Sequence, residues 1–425
     1  MSPLSYLPAV ILAAGCVSAL ASMPGLGAEL KVMPGQLQAK LDSARDGDTL
    51  LLAPGLYHGP LSIARSITLR GQDGVTIDGG GQGTVITVNA PQVQIINLTI
   101  TGSGQKLSTE DSGVFITAEG DGTVVSDNHF TGNLISVYLK GPDAAIVRNN
   151  TIDGRQDLRV NERGNGVQLW NTPGSVVEGN RIRFGRDGIF VTTSRDNRFH
   201  DNHFSKLRFA VHYMYTNNSS VTDNVSVGNT VGYALMYSKQ LEVTGNRSLG
   251  DRDRGIFFNF TNDSNISANV VAPLAERSGP EKCVFVYNSN FNSLHRNHFE
   301  ACQIGIHFTA GSEQNFLWEN NFIANRNQVK YVGTRELEWS REERGNYWSD
   351  HLAFDLDGDG TANQPYRPNS IADQILWRYP MAKLLMNSPI LQILQWAQSE
   401  FPALHPGGVT DSHPLMSPSP TEDAG

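Results

Sequence analysis

Three side chains that carry soft metal-binding atoms fall close together near the middle of the chain. His212 and Met214 are two residues apart, and Met236 follows 22 residues after Met214. On an extended strand, His212 and Met214 face the same side, with Cα atoms about 7 Å apart. One imidazole and two thioethers suit Cu(I) better than Mg²⁺ or Ca²⁺. The sequence therefore predicts a Cu(I) site, with the alternative that the methionines only fill gaps in an apolar surface.

A repeat of about 22 residues decides whether these groups can meet. Asn180, Asn202, Asn224 and Asn246 are spaced by 22 residues, and a short apolar strand pattern precedes each of them. A fixed period with one strand pattern per repeat is typical of a solenoid. Met214 and Met236 would then lie on neighbouring rungs, about 4.8 Å apart.

Asparagines mark one position of this repeat along most of the chain. Stacked asparagines in equivalent turns can hydrogen-bond to one another and tolerate a left-handed backbone, so we predict a structural role for them. The markers are Asn97, Asn128, Asn150, Asn180, Asn202, Asn224, Asn246, Asn269, Asn297 and Asn320.

The alternation of side chains along the long strands assigns one face to the core. Residues one and three positions after the small first residue of each strand are all apolar, as at Val211 and Tyr213. The residues between them must point outward, yet many of those are apolar too. A contiguous exposed apolar surface usually marks an interface, although a loop or the C-terminal segment could instead cover it. This predicted partner-binding surface, the apolar stripe, comprises Trp170, Phe190, Phe257, Phe285 and Tyr287 and surrounds His212, Met214 and Met236.

A second candidate metal site follows the repeats. Asp355, Asp357 and Asp359 occupy positions 1, 3 and 5 of a calcium-loop pattern, Gly360 occupies position 6 and Asn363 position 9. Position 12 is Tyr366, where a calcium loop of the EF-hand type has glutamate. We predict a structural Ca²⁺ at these residues, with a simple Asp-Gly turn as the alternative.

The ends of the chain differ in composition from the repeats. Residues 1–28 contain an apolar run and small residues, which predicts a removable export signal, while Cys16 in Leu-Ala-Ala-Gly-Cys leaves lipidation open. Without that segment, two cysteines remain, Cys283 and Cys302, and their pairing stays open. The net charge is −9 with no long basic run, which argues against nucleic acid as a partner.

These patterns divide the chain into six parts. The residue types at each end predict an N-terminal helical cap, from Leu37, Leu41 and Ala44 at helical spacing, and a disordered tail rich in Pro, Ser and Gly. The predicted boundaries are signal 1–28, cap 29–60, solenoid 61–335, acidic loop region 336–370, helical segment 371–404 and tail 405–425.

Longer motifs resemble known families. The segments LQAKLDSARDGDTLLLAPGLYHG and TIDGGG resemble the right-handed parallel β-helix superfamily of carbohydrate-binding proteins and sugar hydrolases. The later segments GNYWSDHLAFDLDGDG, PYRPN, DQILWRYPMAKLLMNSP and DSHPLM resemble the NosD family, periplasmic maturation proteins of nitrous oxide reductase. The resemblance implies an all-β, right-handed parallel β-helix with an N-terminal helical cap and a small C-terminal loop and helical segment.

The NosD resemblance also implies partners and a place in the cell. Members of that family act in the periplasm with an ABC permease (NosY), its ATPase (NosF) and a copper chaperone (NosL), and together they supply the copper–sulfide centre of nitrous oxide reductase. This chain has no P-loop, so it would be the exported, non-enzymatic partner that relays Cu(I). Residues 371–404 would dock on the permease and cap the last rung, using Trp377, Tyr379, Leu384, Leu385 and Trp396.

Two other functions fit the same fold. A polysaccharide lyase or hydrolase would need outward carboxylates or basic residues near the cleaved bond, and charged candidates are placed at turns before the strands. A metal-free scaffold would share the partners of a relay but bind no copper. The charged candidates are Arg186, Asp187, Asp251, Asp253 and Arg254.

Overall fold

The computed structural model describes residues 27–275, 279–309, 311–331, 333, 335–385, 388–401 and 407–420. The predicted export signal, apart from Gly27 and Ala28, lies outside these residues, so it stays a prediction.

The chain winds into a right-handed parallel β-helix, as predicted. Each full turn adds one parallel strand to each of three long sheets of 13, 13 and 12 strands. The first sheet contains Glu29–Val32, Thr49–Leu52, Thr68–Gly71, Gln94–Ile96, Val124–Ser126, Ile146–Arg148, Val176–Glu178, Arg198–His200, Ser220–Thr222, Glu242–Thr244, Asn265–Ser267, Ser293–His295 and Phe316–Trp318. The second sheet contains Gly55–His58, Val75–Asp78, Thr99–Thr101, His129–Thr131, Thr151–Asp153, Arg181–Arg183, His203–Ser205, Val225–Val227, Arg247–Leu249, Val270–Ala272, His298–Glu300, Asn321–Ile323 and Tyr347–Trp348.

The remaining sheet, here called the long-strand sheet, carries the predicted outward face. Along its strands the residues predicted to face the core are buried, including Leu169, Val191, Tyr213 and Leu235, each 0 % exposed. Its strands are Leu61–Ile63, Ile86–Val88, Ser112–Ile116, Ile135–Lys140, Val167–Trp170, Asp187–Arg195, Phe209–Asn217, Val231–Met236, Arg254–Asn259, Lys282–Tyr287, Ile304–Phe308 and Asn327–Tyr331.

A ladder of buried asparagines runs along one turn of the successive rungs from Asn128 to Asn346. In each step the side-chain oxygen of one asparagine accepts hydrogen bonds from the main-chain and side-chain N–H groups of the preceding one. Asn202, for example, donates from both nitrogens to Asn224 Oδ1 at 3.0 Å. The ladder asparagines are Asn128, Asn150, Asn180, Asn202, Asn224, Asn246, Asn269, Asn297, Asn320 and Asn346.

Two details of the predicted ladder were wrong. Asn97 is exposed and lies one position too early, because Leu98 N–H is the group that donates to Asn128 Oδ1. The left-handed backbone also falls on the residue before each ladder asparagine from Asn128 to Asn320, as at Asp201 (φ 56°) and Asp223 (φ 56°), and not on the asparagine itself. A left-handed residue there turns the chain so that the following side chain points into the stack.

The N-terminal end is closed as predicted. A helix at Leu37–Ser43 buries Leu37 and Leu41 against the first rungs. An apolar helix face over the first rung covers core residues that no preceding rung can cover.

The C-terminal end differs from the prediction in two ways. The repeat does not stop at residue 335, because Asn346 extends the ladder and Tyr347–Trp348 extends the second sheet. The predicted disordered tail is ordered over 407–420, where Gly408–Thr410 pairs with Glu336–Glu338 and Asp411 is fully buried. Asp411 accepts hydrogen bonds from Asn346 N–H (2.7 Å) and Trp348 Nε1 (2.8 Å), so it ends the asparagine ladder. Composition alone could not reveal this contact.

The C-terminal helical segment contains two α-helices, Ile371–Arg378 and Pro389–Glu400, joined through a 3-10 helix at Pro380–Leu385. Two further 3-10 turns lie at Leu107–Thr109 and Val160–Glu162. The aromatic cover of the last rung comes from outside the helical segment, since Trp348 stacks on Tyr366 with ring centroids 4.6 Å apart. Tyr366, which precedes the helices, therefore covers part of the last rung, and capping by the helices themselves stays a prediction.

Cys283 and Cys302 form a disulfide that joins neighbouring rungs, with Cα atoms 5.7 Å apart. Both side chains are buried, at 0 % and 2 % exposed. The bond settles the pairing that the sequence left open.

Replacement of one ladder asparagine tests the structural role of the stack. Asn224→Ala removes the acceptor used by Asn202 and the donor to Phe199 O (2.9 Å), leaving several buried polar groups unpaired. We expect the free energy of unfolding to fall by about 3 kcal/mol, measured by chemical denaturation. Asn161→Ala, at an exposed position outside the ladder, is the matched control. Equal stability of the two variants would contradict a stabilising ladder.

Candidate functional site

The structure brings His212, Met214 and Met236 together on the outward face of the long-strand sheet. The strands Phe209–Asn217 and Val231–Met236 pair in parallel so that Met214 lies directly beside Met236 and His212 beside Ala234. All three side chains are half-buried. We call this group the soft-donor cluster.

A buried carboxylate fixes the orientation of the His212 ring. Asp187, on the preceding rung, has a fully buried side chain, and its Oδ2 lies 3.0 Å from His212 Nδ1. An ionised carboxylate can only accept, so His212 donates its Nδ1–H to Asp187. The other ring nitrogen, Nε2, forms no hydrogen bond to any residue that the structure describes. The lone pair on Nε2 is therefore available to a ligand.

Arg208 makes it possible to bury the charge of Asp187. Its Nε and Nη2 atoms donate to the two carboxylate oxygens of Asp187 at 2.9 and 2.7 Å, a bidentate arrangement. Burial alone would raise the pKa of Asp187, but the hydrogen bonds from His212 and Arg208 outweigh it and hold that pKa below its ordinary value. Asp187 therefore stays ionised while it is enclosed.

Aromatic rings enclose the imidazole on two sides. The ring centroids of Phe190 and Phe209 lie 5.0 and 4.8 Å from that of His212. The Arg208 guanidinium in turn lies 4.5 Å from the Phe209 ring centroid. These contacts leave only 12 % of the His212 side chain exposed.

This geometry matches the outer support of metal-binding histidines. Such residues donate one ring N–H to a carboxylate or carbonyl, which fixes the tautomer and makes the other nitrogen a better ligand. Sequence reasoning found His212 but missed its partner, because Asp187 was assigned to a turn. It is in fact the first residue of the strand Asp187–Arg195, and no short-range motif links residues 25 positions apart.

The apolar stripe has both exposed and partly covered members. Trp170 and Tyr287 are each 42 % exposed, while Phe190, Phe257 and Phe285 are half-buried. Phe257 and Phe285 stack almost in parallel, with ring centroids 5.3 Å apart. The partner-binding role of the stripe stays a prediction.

The sequence analysis missed a second set of exposed aromatic side chains beside the soft-donor cluster. Tyr215, Tyr237 and Phe260 stack with successive centroid distances of 5.0 and 5.2 Å, and Tyr287 completes the set. Each of the first three has a left-handed backbone and is 39 to 52 % exposed. Their spacing of 22 and 23 residues was the available signal. This aromatic column widens the apolar surface around Met214 and Met236.

Several apolar side chains in the C-terminal helical segment are exposed. Tyr379 is 62 % exposed, Leu384 83 % and Trp396 61 %, while Trp377 is half-buried. The side chain of Leu385 lies outside the described part of the structure. Among the described helices, none is long and apolar enough to cross a membrane. Docking through this segment stays a prediction.

The predicted calcium residues lie in one tight loop. Carboxylate oxygens of Asp355, Asp357 and Asp359 come within 4.8 Å of one another. Asp355 also accepts from Gly360 N–H at 2.9 Å, and this hydrogen bond is the main reason that the pKa of Asp355 is lowered. The side chain of Asn363 accepts from Leu356 N–H at 2.6 Å.

The end of the calcium-loop pattern contributes no charge. Tyr366, at position 12, is buried and donates its hydroxyl to Asp350 (2.9 Å). The three aspartates can face one cation, and Ca²⁺ binding stays a prediction.

The charged residues considered for sugar chemistry do not gather into an outward acid–base pair. Asp187 is held by Arg208 and His212, and Asp251 is only 1 % exposed inside the solenoid. Asp251 accepts from Ser226 and Ser248 hydroxyls at 2.6 Å, and burial raises its pKa to about 6. Glycoside hydrolysis requires two carboxyl groups that reach the same bond.

Solved structures of similar fold come from several functional classes. A surface adhesin of Streptococcus pneumoniae, PfbA, matches with a TM-score of 0.56 and 9 % identity over 68 % of this chain and 86 % of that one. A family 28 exopolygalacturonase of Yersinia enterocolitica matches with a TM-score of 0.54 and 9 % identity over 72 % of this chain and 77 % of that one. At such identities the likeness concerns the fold alone.

Sequence comparison is more specific. Residues 148–353 match a family model described as periplasmic copper-binding protein (NosD). A probable ABC transporter binding protein NosD of Stutzerimonas stutzeri is 41 % identical over 387 residues, which cover 89 % of this chain and 88 % of that relative. A protein of the same description from Pseudomonas aeruginosa is 42 % identical over 380 residues, covering 87 % of this chain and 89 % of its own. With likeness of this extent over nearly the whole length of both relatives, the chain belongs to the NosD family.

Proposed function

We propose that this protein is a non-enzymatic, periplasmic subunit of an ABC transporter complex that receives Cu(I) and passes it on during assembly of the copper–sulfide centre of nitrous oxide reductase. The observation that carries the proposal is the soft-donor cluster, in which Asp187 orients His212 beside two paired methionines. The description of the family as copper-binding supports copper as the cargo.

The proposed cluster contains few ligands and lies at the surface of a rigid sheet. Imidazole and thioether groups are uncharged ligands, and the soft thioethers favour Cu(I). Half-buried side chains on an outward face can be reached by a second protein, as transfer between proteins requires. The exposed aromatic column and the apolar stripe would provide the contact surface around the transferred ion.

An ABC transporter partner is supported by the two relatives, each described as a probable ABC transporter binding protein, and by the exposed surfaces. An ABC permease (NosY) with its ATPase (NosF) would bind the exposed apolar side chains of the C-terminal helical segment. A copper chaperone (NosL) would deliver Cu(I), and nitrous oxide reductase would receive it.

Cu(I) titration of the mature chain tests the metal site. We expect the wild type to bind one Cu(I) in competition with a chromophoric chelator, and His212→Ala with Met214→Ala and Met236→Ala to lose this binding because all three ligands are removed. His58→Ala with Met33→Ala and Met416→Ala, at exposed positions away from the cluster, is the matched control. Unchanged Cu(I) binding by the first variant would refute the site.

A second variant tests the positioning role of Asp187. Asp187→Asn removes the charged acceptor from His212 Nδ1 but keeps every proposed copper ligand. We expect the copper stoichiometry to stay the same and the affinity to fall about 10- to 100-fold, as for other outer partners of metal-binding histidines.

Asp153→Asn, which breaks a comparable ion pair with Arg183 on the second sheet, is the control for Asp187→Asn. X-ray absorption of the copper-loaded variants would show whether the imidazole ligand is kept. Wild-type affinity in Asp187→Asn would show that the carboxylate has no role in copper binding.

The acidic loop is proposed to bind a structural Ca²⁺. Added Ca²⁺ should raise the thermal midpoint of the wild type, because a hundredfold excess over the Kd stabilises the folded state by about 2.7 kcal/mol. Asp357→Asn with Asp359→Asn should abolish the increase, while Glu342→Gln with Glu343→Gln, at exposed positions nearby, should keep it. A thermal midpoint that Ca²⁺ does not change in the wild type would leave the Asp-Gly turn as the explanation of the motif.

A further inference from the structure

Three basic side chains follow the soft-donor cluster along the same sheet. Arg254 lies on the rung directly after Met236, and its register partner on the next rung is Lys282. Two rungs beyond Lys282, Lys330 is the register partner of His307. We call Arg254, Lys282 and Lys330 the cationic end of the stripe.

A floor of stacked rings supports these cations. Phe257, Phe285 and His307 follow one another with ring centroids 5.3 and 4.7 Å apart. The Arg254 guanidinium lies 4.8 Å from the Phe257 ring and 5.3 Å from the Phe285 ring, and Lys282 Nζ lies 5.7 Å from the latter. Cation–π contacts hold the charges at the surface of the sheet but do not neutralise them.

The carboxylates of this chain compensate the cationic end only in part. Among the described residues, Glu281 pairs with Lys282, whereas neither Arg254 nor Lys330 takes part in an ion pair. Asp253, next to Arg254, pairs with Arg252 instead. Arg254 Nε and His307 Nδ1 are enclosed without a hydrogen-bond partner in the described part of the chain.

The local electrostatics show the same excess of positive charge. Burial, followed by the charges of Lys330 and Lys282, lowers the pKa of His307 to about 4. Burial and the charge of Lys282 lower the pKa of Lys330. Half-buried charges of one sign are unfavourable unless an anion compensates them, so this end of the sheet is complementary to a negative group.

We propose that the cationic end binds carboxylates of an acidic protein that docks over the soft-donor cluster. This inference rests on the proposed function, because the acidic protein would be the donor or the acceptor of Cu(I). Rungs are about 4.8 Å apart, so Arg254, Lys282 and Lys330 lie roughly 5 to 20 Å from Met236 along the solenoid. One protein interface of about 800 Å² per partner covers that span. It would join the cluster, the aromatic rings and the cations in a single contact.

Charge complementarity also orients such a partner. The chain as a whole carries a net charge of −9, which repels an acidic protein from most of its surface. A cationic group that is only partly compensated, beside the proposed copper site, favours one approach and one orientation of the partner. A small free anion would gain no binding energy from the adjoining apolar stripe, whereas a protein surface would cover both the stripe and the cationic end.

Binding of labelled hexaglutamate to the full mature chain tests the site by fluorescence anisotropy at low and at near-physiological ionic strength. We expect salt-sensitive binding that is on the order of tenfold weaker in Lys282→Gln with Lys330→Gln. Arg70→Gln with Arg198→Gln removes the same charge from exposed positions on the first sheet and should bind as the wild type does. Equal weakening in both variants, or none in either, would overturn the proposal.

Two further measurements separate this proposal from its alternatives. Succinate that displaces hexaglutamate at equal carboxylate concentration would identify a small-anion site and overturn protein docking, whereas failure to displace it supports docking. Unchanged Cu(I) affinity in Lys282→Gln with Lys330→Gln, together with weakened peptide binding, supports a docking role distinct from the metal site. A wild-type chain that binds hexaglutamate but no Cu(I) would refute the proposed function and leave only the carboxylate site.

Discussion

The buried asparagine ladder is the interaction on which the rest of the structure depends. At the turns of a β-helix the chain leaves one sheet for the next, so its peptide groups lose the partners that strands provide. Each ladder asparagine supplies these peptide groups with both an acceptor and a donor. Asn224, for example, accepts from the N–H groups of Asn202 and donates to Phe199 O on the rung before. Because the same side chain recurs from Asn128 to Asn346, successive rungs in this part of the solenoid stack in a fixed register.

Because the register between rungs is fixed, residues that are one repeat apart in the sequence form columns on the surface. Residues about 22 positions apart in consecutive rungs lie side by side, which places Met214 against Met236 and stacks Tyr215 on Tyr237. The contact between Asp187 and His212 arises in the same way. Asp187 is the register partner of Phe209, so it lies diagonally across from His212 on the next rung. A flexible loop could bring such groups together only at a large cost in conformational entropy, whereas here the scaffold orders them in advance.

The sequence contained enough periodic information to predict the solenoid, the buried face and the three members of the soft-donor cluster. What it could not predict are contacts that break the period. Asp411 ends the ladder from 65 residues beyond Asn346, within a segment whose composition suggested disorder. Arg208 lies 21 residues after Asp187, but nothing in the local pattern distinguishes this arginine from others at the surface. Such pairings depend on where the turns place individual side chains, and composition does not encode that.

The charges around the soft-donor cluster bear on how such a site could release its cargo. Asp187 and Arg208 form a compensated ion pair, so the cluster presents neutral ligands and no net negative charge to an incoming cation. Arg186 lies 4.0 Å from the same carboxylate and adds positive charge. In the proposed relay, Cu(I) would therefore be held by the softness of its ligands without electrostatic attraction. An acceptor with additional soft or anionic ligands could then remove the ion, since no buried negative charge would be left behind uncompensated.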